Sequence, residues 1–217
     1  MIGAVVGLLT LLSALVMGLL IWTAYGVYAG QNTAIQTLAA KVLLLDLALA
    51  DYGLDALPAR AELRQTVGKT IDEIWGAGQS DRDFVANNFA SAVHNLRNRE
   101  KALEDLHPST DAQKQALAVA SSTIEAIGQA RLQMSFGLAN AVSYPLILIV
   151  AGWSVVLFCG FGLMAKGHAM SLIALIVGAI AIASAVCMIL DLSAPYSGLF
   201  RASSAPLEQV LAVTEKE

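Results

Sequence analysis

Residues 2–22, IGAVVGLLTLLSALVMGLLIW, carry no charge. They are long enough to cross the roughly 30 Å hydrocarbon core of a bilayer as a helix. Nothing then stops that helix: the residues up to Ala50 contain no proline, and only Gly26 and Gly30 weaken it. Fifty residues at about 1.5 Å each would reach roughly 75 Å, more than twice the membrane thickness. One seam at alternating three- and four-residue spacing runs the whole length. It passes from Gly3, Gly7, Thr10 and Ala14 through Met17, Ile21, Ala24 and Tyr28 to Gln31, Ile35, Leu38, Val42, Leu45 and Leu49. Its upper residues are small, as suits helices that meet by close backbone approach in lipid. Its lower residues are Ile, Leu and Val, as suits a seam in water. The change after Tyr28 marks the predicted exit from the bilayer.

The rest of the chain reads as helices too. Asp51-Tyr52-Gly53 is a stop, with a glycine available for a left-handed cap, and Pro58 fits the first turn of a second helix over about 58–76. Val67, Ile71 and Ile74 share its expected face, with Ala61 above them. A third helix is predicted from Ser80 to about Leu106. A fourth starts at the Thr110/Gln113 capping box, with Leu117, Ala120, Ile124, Ile127, Met134 and Leu138 on one face and Arg131 interrupting it. Residues 146–164 and 170–190 form two further spans joined by a turn short enough to require an antiparallel hairpin. Ala174, Gly178, Ala181 and Ala185 give the last span a small-residue stripe. A short helix is expected after Pro206.

The fold class expected is therefore an all-α membrane protein: three transmembrane helices, a helical aqueous region, and a first helix continuous from membrane into water. The divisions are 1–28 (first span), 29–142 (aqueous region), 143–191 (hairpin of spans) and 192–217 (tail). Composition agrees, since 57% of the residues are hydrophobic and 14% charged, too apolar for an ordinary soluble domain. The net charge of −4 and the lack of a basic cluster argue against nucleic acid as a partner. No basic segment precedes the first span, so it is expected to be retained rather than cleaved. Ten of the thirteen Lys and Arg lie between 29 and 142, two follow 191, and Lys166 sits in the hairpin turn. The positive-inside rule then puts the middle region and the tail in the cytoplasm.

Several blocks match a known pattern: Gln36-Thr37-Leu38-Ala39-Ala40, Leu44-Leu45-Asp46, Ala50-Asp51-Tyr52-Gly53, Ala59-Arg60 and Leu63-Arg64. Gly128-Gln129-Ala130-Arg131, Phe161-Gly162-Leu163, Pro195-Tyr196-Ser197-Gly198-Leu199 and Ser203-Ser204-Ala205-Pro206-Leu207 follow. Together they resemble the bacterial bestrophin-like membrane proteins, a family defined by a domain of unknown function. The resemblance spans nearly the whole chain, with 77–125 its least specific part. Two departures stand out. Family members usually carry a further span and polar linker before the helix that opens this chain, and Ser193 stands where they tend to have an acidic residue. True bestrophins are pentameric anion channels. The resemblance thus implies a multi-pass protein of the bacterial inner membrane, a homo-oligomer, and an ion channel or pore, for anions, lined by the first helix. The alternative is a non-conducting scaffold or accessory subunit of a larger membrane complex. Membrane lipids are partners in either case.

No catalytic constellation is visible, and neither an enzyme nor a cofactor is expected. His94, His107 and His168 stand at no metal-ligand spacing, and Cys159 and Cys187 lie in apolar spans. Five charged residues are candidates for ion interaction or for structural pairing. Asp46 is alone in VLLLDLALA, and a buried carboxylate calls for a partner, for which Arg60 and Arg64 lie opposite. Arg131 either attracts an anion or forms a buried pair. Asp191 opposes the dipole at the end of a span and needs a cap, a base such as Arg201, or a cation. Thr10, Ser13, Met17 and Leu20 are candidate pore-lining residues, Thr10 and Ser13 being three apart on one face; both hydroxyls could instead bond back to the carbonyl four residues earlier. A homo-oligomer also follows from packing. The seam asks for more cover than one chain offers, and residues 42–50, apolar nearly all round, imply burial on every face.

Overall fold

The computed structural model describes residues 2–76, 103, 106–139, 144–164 and 169–214. Every described element is helical. The first, α1, is one uninterrupted helix, Ile2–Tyr52, of 51 residues. A single 3₁₀ turn, Leu54–Ala56, leads to α2, Leu57–Trp75, with proline in its first turn. Then come α3 (Asp111–Ala139), α4 (Tyr144–Met164), α5 (Ala169–Leu192) and α6 (Ala205–Thr214). Three of these helices are long and apolar enough to cross a membrane: α1, α4 and α5. Of the helix expected over 80–106 only Leu103 and Leu106 are described, both half-buried against the core of the second unit, and the hairpin turn at 165–168 lies outside the described residues.

The chain divides into two compact units, and α1 contributes to both. The first holds residues 1–28, 140–194 and 198–200. Its core is small: Leu20 and Ala24 of α1 meet Ile147 and Val150 of α4 and Ile189 and Leu192 of α5. Close approach occurs where side chains are short. A Cβ at Gly178 would meet the Phe158 ring at 3.3 Å, and one at Gly160 would meet Val6 at 3.2 Å. Most of each span's surface stays uncovered within the chain, as expected of helices solvated by lipid or by other helices.

Two expectations for this unit need correction. The buried face of α1 here is Val6, Ser13, Leu20 and Ala24, while Gly3, Gly7, Thr10 and Ala14 are exposed. In a span both faces are apolar, so spacing alone does not mark the packed one. In α5, Gly178 and Ala185 are half-buried but Ala174 and Ala181 are exposed. The stripe keeps one face, but only part of it is covered within the chain.

The second unit holds residues 29–139, 195–197 and 201–217. Here the hydrophobic effect operates, and the seam of α1 is buried as drawn: Ile35, Leu38, Val42, Leu45 and Leu49 are all under 6% exposed. Each such side chain contributes about 1.5–3 kcal/mol relative to an exposed one. Their cover comes from Leu63, Val67 and Ile74 of α2, from Ala120, Ile124, Ile127 and Met134 of α3, and from Tyr196, Ala202, Leu207 and Val210 of the tail. The seam therefore does not need a second copy to cover it. Within one chain Leu44 and Leu47 remain 54% and 42% exposed, so residues 42–50 are not covered on every face by their own chain. On α2 the buried face is Arg60, Leu63, Val67, Thr70 and Ile74. Ala61 is exposed, not part of it, and Ile71 is half-buried.

Two local devices shape this unit. Gly53 adopts φ 110°, ψ −162°, a region closed to residues with a Cβ, and it reverses the chain between α1 and α2. Gly53→Ala is expected to cost about 1–3 kcal/mol through backbone strain alone, read as a lower unfolding midpoint. At the start of α3 the capping box is reciprocal. Gln113 N donates to Thr110 Oγ1 at 3.2 Å, and Thr110 N donates to Gln113 Oε1 at 3.3 Å. Thr110→Ala should cost about 1 kcal/mol by the same readout.

Candidate functional site

The charged candidates of the second unit are organised by the Gly53 reversal. It brings the first turns of α2 level with the last turns of α1, so Arg60 meets Asp46. Arg60 Nε donates to Asp46 Oδ1 at 3.0 Å and Nη2 to Oδ2 at 2.6 Å, the two-pronged geometry that guanidinium and carboxylate favour. Asp46 is 1% exposed and Arg60 8%. Both charges are largely withdrawn from water, and each helps to make the burial of the other tolerable.

Arg64, the other candidate partner, is half-buried on the next turn. It lines a small cleft with Asp46, Val42, Val67, Val210 and Thr214, and its Nε is buried without a hydrogen-bond partner among the described residues. Arg131 lies apart from this pair, 4% exposed on α3. It borders a cavity of about 20 Å³ shared with Leu38, Val42, Val67, Thr70 and Leu207. That space suits one water rather than an organic ligand. Burial pushes the Arg131 pKa below its ordinary value, and the Glu73 carboxylate opposes the shift.

A polar cluster that sequence reasoning missed ties the tail to three helices. Gln31, 4% exposed, donates from Nε2 to the Met134 carbonyl at 3.0 Å and accepts the Tyr196 hydroxyl on Oε1 at 2.9 Å. The Tyr196 ring meets Trp75 edge to face with centroids 6.0 Å apart. Trp75 Nε1 donates to the Ala202 carbonyl at 2.7 Å, and Arg201 Nε to the Tyr196 carbonyl at 3.0 Å. Gly137 leaves room for the Gln31 amide, since a Cβ there would stand 2.8 Å from Nε2. The one available signal was Gln31 itself, a polar residue inside an apolar seam.

In the first unit Asp191 is answered by backbone, not by Arg201. Its Oδ1 accepts from Leu199 N at 2.6 Å and its Oδ2 from Phe200 N at 2.8 Å. The carboxylate lies against Gly198, where a Cβ would collide with it. The pore-lining candidates differ in how far the chain itself covers them. Ser13 and Leu20 are buried within the chain and Met17 is half-buried, while Thr10 is exposed and bonds back to the Val6 carbonyl at 2.8 Å. The Ser13 oxygen has no partner among the described residues. Cys159 and Cys187 are unbridged and exposed on the spans.

One surface remains, on the part of α1 within the second unit. Gly30, Thr33, Thr37, Ala40, Leu44 and Leu47 recur at three- and four-residue spacing, and all are exposed. The Thr33 and Thr37 hydroxyls are turned back onto the carbonyls of Ala29 and Thr33. From Ile2 to Ala50 the only charged residues are Lys41 and Asp46. Asp46 is spent on Arg60, so half-buried Lys41 at the margin is the one charge this face has.

Comparison with known families finds one whose model, a Bestrophin-like domain, matches residues 1–207. Comparison with curated proteins and with solved structures finds no match.

Proposed function

The chain belongs to the bestrophin-like family of membrane proteins, and on that premise we propose that it is a homo-oligomeric ion channel, for anions, in which the bare face of α1 lines the conduction path. The observation that carries this reading is the uncharged stripe from Gly30 to Leu47. A helix face bathed in ordinary solvent carries charged residues. This one offers glycine, alanine, threonine and leucine over some five turns, with a lone lysine at its edge. Repeated around a symmetry axis, such faces would form a narrow, weakly polar conduit. Lys41 would become a ring of positive charge that concentrates anions. The family resemblance suggests the bacterial inner membrane, the three candidate spans suggest three passes, and the Lys and Arg distribution favours a cytoplasmic second unit and tail.

The test is reconstitution into liposomes with chloride and potassium flux measured separately, together with native mass in mild detergent. Chloride flux is expected. In a background with Cys159→Ser and Cys187→Ser, Thr37→Cys should be blocked by a charged thiol reagent. Lys41→Glu should lower the chloride-to-potassium flux ratio by at least about tenfold, since it reverses the sign of the ring. A monomer without flux would end the reading. The second reading, a non-conducting scaffold for a larger membrane complex, is favoured by the closure of the Ile35–Leu49 face within one chain. Silent liposomes together with a stable hetero-complex would establish it.

A further inference from the structure

The exit of the last span carries a feature that neither the channel nor the scaffold reading uses. After α5 the chain turns back, and residues 198–200 pack with the spans rather than with the second unit. Leu199 is 89% exposed and Phe200 44%. Two large apolar side chains thus stand out from a three-residue loop whose backbone is fixed. What fixes it is Asp191, whose carboxylate accepts the N–H groups of both residues. Gly198 allows the carboxylate to come that close. A mobile loop would scatter its apolar tips, whereas this one holds them beside the end of a membrane helix.

The level of that helix end follows from length. The 24 residues of α5 rise about 36 Å, against a hydrocarbon core of roughly 30 Å. Its final turn, which carries Asp191, therefore reaches the headgroup region. That turn also leaves Met188 and Leu190 exposed, so the lipid-facing surface of the span continues down to the loop. A carboxylate is expensive in hydrocarbon but accommodated at its edge, particularly when backbone N–H groups satisfy it.

We propose that Leu199 and Phe200 form an interfacial lipid anchor, inserted at the boundary between headgroups and acyl chains, with Asp191 as the residue that positions them. The partner is the bilayer itself. Aromatic and aliphatic side chains favour that boundary. The loop would thereby fix the depth and rotation of α5, and it would do so whether or not the protein conducts ions.

The experiment uses the full chain in lipid nanodiscs with Cys159→Ala and Cys187→Ala. A spin label is placed at Leu199→Cys, with Ile176→Cys as the lipid-facing reference and Gln115→Cys as the water-facing one. Collision with oxygen, which partitions into lipid, is compared with collision with a water-soluble nickel chelate. The Leu199 label is expected to favour oxygen several-fold over the Gln115 label and to approach Ile176. Adding Asp191→Ala, or separately Gly198→Ala, should return it to the water-facing value while Ile176 stays unchanged. A Leu199 label that behaves like Gln115 in the otherwise unaltered chain overturns the proposal. So does one shielded from both reagents, which would mean that protein, not lipid, covers the loop. Neither readout depends on flux, so failure here is separable from failure of the channel reading.

Discussion

Asp46→Ala is expected to lower stability by about 3–5 kcal/mol, because it removes the carboxylate that pairs with the buried Arg60 guanidinium. Arg60→Ala should cost a similar amount by stranding Asp46. Replacing both together, Asp46→Leu with Arg60→Met, should recover most of the loss, since the surroundings are apolar and the pair's Coulomb attraction largely offsets its own desolvation. The measurement is the thermal midpoint of helical circular dichroism in detergent for the two single variants and the double. Single variants within 1 kcal/mol of the parent, by an order-of-magnitude conversion of the midpoint shift, would mean that Arg64 or a water takes over. The contrast between single and double variants is the more telling result. It separates a pair that must be complete from one that adds stability in its own right.

The second large effect is expected at Leu207→Ala. This side chain is 1% exposed and sits in the core of the second unit beside Val210 and Ala202. Removing its isobutyl group should cost about 2–5 kcal/mol, depending on how far the tail can settle into the gap. The loss should fall first on the tail, because α6 reaches the core through few residues. Exposed Arg201 offers a protease site in the same stretch, so trypsin should cut there faster in the variant than in the parent. Tyr196→Phe should act in the same direction but less, about 1–3 kcal/mol, by leaving the Gln31 carbonyl oxygen without its donor in a buried site. Equal cleavage rates in all three proteins would show that the tail is held elsewhere.

What could be read from sequence followed the solvent. In water an apolar face contrasts with a polar one, and the lower seam of α1 and the face of α3 were visible as spacing. Asp46 stood out for the same reason, as a charge in an apolar run. In lipid the contrast is missing, and a preference for small residues pointed to Gly3 and Gly7 where the chain packs Val6, Ser13 and Leu20. On α2 the ion pair rotates the buried face toward Arg60 and Leu63, so Ala61, chosen by apolarity, is left outside. Asp191 was flagged as needing compensation, but backbone donors have no signature in side-chain identity. Gln31 and Tyr196 are separated by 165 positions, and no local pattern links them.

That separation has a consequence for how the protein is made. The second unit begins at residue 29 and is completed by residues 195–197 and 201–217, with the two long apolar helices α4 and α5 synthesised in between. Gln31 and Trp75 leave the ribosome long before Tyr196 and Ala202 exist to meet them. During that interval the tail's share of the core is open and apolar, the condition under which nascent chains attract chaperones or aggregate. Closure of the unit thus waits on the synthesis of α4 and α5. A chain that stalls after α5, or loses its final twenty or so residues, would lack Ala202, Leu207 and Val210 and leave their side of the core open.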